Sequence, residues 1–98
     1  MLDSDANDPL IRQLREQLSD NDVRTVEALN ARLKLVARLK QVKEERGIGF
    51  LDPAREEWML QYLTRANQGP LSPEGLREIY LELLDLTKRE VGRGEESG

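Results

Sequence analysis

From Leu10 to Arg46 the chain runs without a single glycine or proline, and the stretch is rich in Leu, Ala, Lys, Arg, Glu and Gln, all good helix formers. At 1.5 Å per residue a helix of this length spans about 55 Å. A compact chain of 98 residues has a radius of gyration of only about 13 Å. A straight first helix therefore projects beyond any body the rest of the chain can build. Its apolar positions need a second chain to cover them. The expected fold is all-α, with three helices per chain, a very long first helix, and an intertwined helical homodimer. A break near Ser19–Asn21, giving a compact four-helix monomer, is the competing reading.

Helix punctuation supplies the other two elements. Asp8-Pro9, Asp52-Pro53 and Ser72-Pro73 each read as an N-cap followed by proline at the first helical position, where a missing N–H costs nothing. Gly47 and Gly49 close the first segment, Gly69-Pro70 the second, and Gly92 and Gly94 the third. The third segment places Leu76, Ile79, Tyr80, Leu83, Leu84, Thr87 and Val91 on one helical face. The second, Pro53 to about Ala66, offers Met59, Tyr62, Leu63 and Ala66, with Trp58 and Leu60 at the edges. The expected layout is an N-terminal arm at 1–8, a helical domain at 9–91 and a mobile tail at 92–98.

Composition bounds the chemistry. Leu, Ile, Val and Phe make up 26 of the 98 residues, enough for a small core. Cys and His are both absent, which excludes disulfides, a thiolate nucleophile, a Cys/His zinc site and a His-based triad. No metal or cofactor is expected. A net charge of −4 argues against non-specific nucleic-acid binding. No apolar run reaches the roughly 20 residues of a membrane span, and residues 1–9 lack the regions of a signal peptide. The expected address is the cytoplasm.

Against that acidic background, three cations fall on the apolar side of the first helix. Leu29, Val36 and Leu39 lie within about 60° of Arg32, and Lys43 lies about 20° from it, near three turns further on. Arg15 is flanked by Ile11 and Leu18. Cations inside a bundle are costly unless paired or facing a bound anion. Snorkelling, or ordinary ion pairs with Asp22, Glu27 or Glu44, is the structural alternative. A pocket lined by Arg and Lys suits a small polyanion, because guanidinium forks onto carboxylates. In Asp52-Pro-Ala-Arg55-Glu56 the acids at the cap and first turn suit the helix dipole, whereas Arg55 opposes it and suggests another duty.

The ordered set of these residues carries a resemblance. LRxxLxxxD from Leu14 to Asp22, then Arg32, Lys43 and DPxRE from Asp52 to Glu56, resembles the all-helical, type II chorismate mutases over roughly residues 9–91. The stretch IYLELLDLT, Ile79 to Thr87, is similar to that family's final helix. The resemblance implies a Claisen rearrangement of chorismate to prephenate, on the route to Phe and Tyr, in a homodimer with its site shared between subunits. Such a reaction is intramolecular and needs no nucleophile, so a chain without His or Cys can catalyse it. It asks only that a flexible dicarboxylate be held in its reactive shape and that charge on the ether oxygen be stabilised. By the same resemblance Arg32, and Arg15 of the opposite subunit, grip the two carboxylates. Lys43 donates to the ether oxygen and a carboxylate. Asp52, through its backbone, and Glu56 hold the ring hydroxyl, and Arg55 orders the carboxylate end.

One position departs from the pattern. Counting from Thr87, which matches the family's usual serine, the place of a Gln or Glu donor to the ether oxygen is taken by Val91, which cannot donate a hydrogen bond. Glu90 is adjacent but about 100° round the helix, and Lys88 is taken to lie further off. This leaves open a weak mutase, a differently registered last helix, or a site completed by a partner such as another shikimate-pathway enzyme. Isochorismate pyruvate lyase and a non-catalytic chorismate-binding module are the alternative functions.

Overall fold

The computed structural model describes residues 7–97, with side chains through Arg93. Three helices follow one another, α1 (Pro9–Glu45), α2 (Pro53–Ala66) and α3 (Pro73–Ser97), and no strand occurs among the described residues. Each helix begins at the proline expected, with the preceding side chain as its cap. Asp8 Oδ1 accepts from Leu10 N at 2.9 Å, Asp52 Oδ1 from Arg55 N at 3.1 Å, and Ser72 Oγ from Gly75 N at 3.0 Å. These bonds satisfy amide groups that the first turn of a helix leaves without a partner. Among the described residues no helix is long and apolar enough to cross a membrane.

The chain divides into two units, residues up to Lys34 and residues from Leu35 onward. In the first, α1 passes through Ser19–Asn21 without a break, and Thr25 Oγ1 donates to the Asn21 carbonyl at 3.0 Å. No residue of α1 is buried. Leu10, Leu14 and Leu18 are more than half exposed and Leu29 is exposed as well, and all four fall within about 100° of the helix circumference. The stripe exists, and none of the described residues of the unit lies on it.

In the second unit α2 packs on α3, around Leu60, Leu76, Thr87 and Val91, the buried residues. The face expected for α3 is largely the packed one, with Tyr80, Leu83 and Leu84 half-buried. Ile79 is the exception and is exposed. The face of α2 is turned from the one expected. Glu56, Met59, Leu63 and Asn67 are half-buried beside Leu60, while Tyr62 and Ala66 are exposed. Leu60, expected at an edge, is the most buried apolar side chain in the chain's described part. The physical reason lies in the make-up of the packed stripe: the i, i+4, i+7 set Glu56–Leu60–Leu63 contains a carboxylate, so its apolar character is masked in sequence.

Two helix ends frame this unit. At the end of α1, Ile48 N donates to the Lys43 carbonyl at 2.8 Å and Gly47 N to the Glu44 carbonyl at 3.1 Å. This is the Schellman arrangement, and it needs a left-handed residue, which Gly47 supplies at φ +68°. α3, by contrast, does not stop at its glycines. It runs through Gly92 and Gly94 to Ser97, so the expected tail 92–98 is helical that far, and Gly98 lies outside the described residues. A helical glycine costs only about 1 kcal/mol, and an ion pair between Glu90 and Arg93 spans the turn that contains Gly92. Of the expected arm 1–8, residues 1–6 lie outside the described residues and Asp8 is the cap of α1.

Candidate active site

The Schellman turn that ends α1 also sets the first site residue. Lys43 accepts at its backbone carbonyl from Ile48, and its half-buried ammonium reaches forward to donate to the Phe50 carbonyl at 3.2 Å. Lys40, one turn earlier, sits 5.6 Å from the Phe50 ring centroid. The loop is thus fastened at both ends of one lysine, and its exit is Asp52, whose Oδ1 caps α2. The role that the resemblance implies for Asp52 uses its backbone, which leaves that cap in place.

From the first turn of α2, Arg55 and Glu56 go opposite ways. The Arg55 guanidinium lies over the Trp58 ring, 4.1 Å from its centroid. Trp58 in turn stacks on Tyr62 at 5.2 Å and 9°. Stacking holds a guanidinium plane without using its N–H groups, which stay available to fork onto an anion. Glu56 turns toward α3, where Lys88 Nζ stands 3.1 Å from Oε2 and 3.4 Å from Oε1. A second, more exposed link between the two helices joins Glu57 to Arg77 at 3.4 Å.

On α3, Thr87 is 4% exposed and donates its hydroxyl to the Leu83 carbonyl at 2.7 Å. One turn on, Val91 is 8% exposed. This part of the helix therefore offers packing and one hydroxyl, and no amide donor. Glu90 is paired with Arg93. Lys88 departs from the expectation that it lies further off: it sits about 60° round the helix from Val91, nearer than Glu90, and it is brought to Glu56. The signal that could have found it is that i, i+3 relation to Val91 together with Glu56 on the packed face of α2.

The first unit carries the two remaining cations, Arg32 half-buried and Arg15 exposed. Arg15 is expected to face inward, but among the described residues of its unit no other element packs on α1. Lys43, Asp52, Arg55, Glu56, Thr87 and Val91 all belong to the second unit. In the second unit, Lys43 and Arg55 are suited to binding and polarising a carboxylate-bearing molecule, and the Glu56 carboxylate to accepting from a hydroxyl.

The family model described as chorismate mutase type II matches residues 14–91, a span that runs from one residue before Arg15 to Val91. The chain belongs to the type II chorismate mutase family. Solved structures agree. Chorismate mutase from Thermus thermophilus, in the structure called Form II, is 31% identical to this chain with a TM-score of 0.79, over 85% of this chain and 94% of that one. Form I of the Thermus thermophilus enzyme is 32% identical with a TM-score of 0.76, over 79% and 96%. No curated protein matches the chain. The all-α, three-helix architecture is therefore that of a chorismate mutase.

Proposed function

We propose that this family member catalyses the Claisen rearrangement of chorismate to prephenate, in the cytoplasm, as a homodimer whose sites are shared between subunits. The observation that carries the reading is the span of the family match, residues 14–91, which includes every one of the eight site residues. In the reaction the ether C–O bond breaks as a C–C bond forms within the same molecule, so no group leaves and no proton need be exchanged. The protein's work is to hold the substrate in the shape where the reacting carbons meet, and to place positive charge where the ether oxygen gains electron density.

Arg32, and Arg15 of the second subunit, take the two carboxylates, each by a fork of N–H groups. Lys43 donates to the ether oxygen. Its position supports this role, because the Phe50 carbonyl and the Schellman turn fix the ammonium before substrate arrives, and preorganised charge costs no rearrangement during reaction. The backbone at Asp52 and the Glu56 carboxylate hold the ring hydroxyl, and Arg55, braced on Trp58, orders the carboxylate end. Support for the dimer comes from the uncovered stripe Leu10, Leu14, Leu18 and Leu29 of α1.

The test is the loss of chorismate absorbance with purified protein, confirmed by phenylpyruvate after acid treatment. Arg32→Ala is expected to lower kcat/KM by roughly 10²–10³-fold. Pyruvate release in place of prephenate would move the assignment to the lyase. One observation favours a second reading, a mutase that is weak without a partner enzyme: the buried Val91, which leaves the last helix without its second donor to the ether oxygen. Addition of another shikimate-pathway enzyme would then raise turnover.

A further inference from the structure

The pair formed by Lys88 and Glu56 has no counterpart among the roles assigned above. Its two residues are 32 positions apart and tie α3 to α2. The ammonium contacts both carboxylate oxygens, at 3.1 Å and 3.4 Å. Both side chains are partly sheltered, at 37% and 30% exposure, in contrast to the outer Arg77–Glu57 link, where both exceed half. A long lysine held at two oxygens restricts the carboxylate's rotation. Each oxygen keeps lone pairs for a second donor.

We propose that Lys88 is a positioning residue of this enzyme: it fixes the Glu56 carboxylate so that its remaining lone pairs meet the substrate's ring hydroxyl. The inference rests on the proposed mutase reading, in which Glu56 accepts from that hydroxyl. The contact with the hydroxyl exists in bound substrate and in the transition state alike. Its loss is therefore a loss of uniform binding, which raises KM and leaves kcat nearly unchanged. Val91, three residues on from Lys88, is buried and apolar, so it competes for neither the ammonium nor Glu56.

Kinetics on Lys88→Met, Lys88→Gln, Lys88→Arg, Glu56→Gln and the double variant Lys88→Met/Glu56→Gln test this, with wild-type turnover measured first. Absence of wild-type turnover sinks the mutase reading itself. With a turning-over wild type, KM for chorismate is expected to rise about 5–20-fold in Lys88→Met and Lys88→Gln at nearly constant kcat. Lys88→Arg should return KM to within about threefold of wild type. In the Glu56→Gln background, Lys88→Met should have no further effect, because a residue acting only through Glu56 is silent once that carboxylate is gone. Unchanged KM in both Lys88→Met and Lys88→Gln, with thermal unfolding showing folded protein, overturns the proposal. So does a further loss in the Glu56→Gln background, which would place Lys88 directly on the substrate.

Discussion

Val91 is a residue whose side chain answers two demands that pull apart. Buried in the α2–α3 unit at 8% exposure, it contributes to a core that among the described residues has few other members. At the same place the resemblance to the family asks for a hydrogen-bond donor. Val91→Gln is therefore expected to raise kcat about tenfold, less than the 10²–10³ a full oxyanion-type donor can be worth. It should also lower stability by about 1–3 kcal/mol, the cost of burying an amide that the free protein leaves without partners. Steady-state kinetics and urea unfolding of the same preparation would show both. Higher activity without lost stability would mean that the amide finds a partner in the free protein. Lys43 is the opposite case, where the fold and the proposed site ask for the same arrangement, since its carbonyl closes α1 while its ammonium reaches Phe50.

Elements are legible in this sequence where chemistry is local. A cap and a proline specify a helix start through hydrogen bonds that reach only two or three residues, and all three starts are as expected. Asp52 ties such a cap to the proposed function, because the turn it secures carries Arg55 and Glu56. Asp52→Ala should cost about 1 kcal/mol in stability and lower kcat/KM about tenfold, a loss of about 1.4 kcal/mol. Asp52→Ser, which keeps an acceptor, should restore most of both. Equal activity in the two variants would show that the first turn holds without its cap. Less legible are the end of α3 and the packed face of α2. Whether a helix passes a glycine depends on what the next turn gains, here the Glu90–Arg93 pair. Which side of α2 is covered depends on α3.

The whole molecule turns on α1. A single chain leaves its leucine stripe in water, and fully burying one leucine is worth about 1.5–3 kcal/mol. Four such residues supply a strong drive to associate. Sedimentation of the purified protein at micromolar concentration is expected to give a dimer. Leu18→Lys should shift it toward monomer and lower the unfolding temperature in a concentration-dependent way. Turnover should fall with it if, as proposed, Arg15 serves the site of the other subunit. A monomeric wild type with full turnover would exclude a shared site.

Determined by the sequence alone were the three helices and their starts, the length of α1 and the family. These rest on local propensity, short-range capping and the order of residues along the chain, none of which needs a neighbour in space. Only the tertiary structure decided that Leu60 and Glu56 share the packed face of α2, that Ile79 is left outside, and that Lys88 meets Glu56 across 32 positions of sequence. The reason is physical. A side chain on an amphipathic helix has several faces within its reach, and which one it uses is settled by the helix that packs against it.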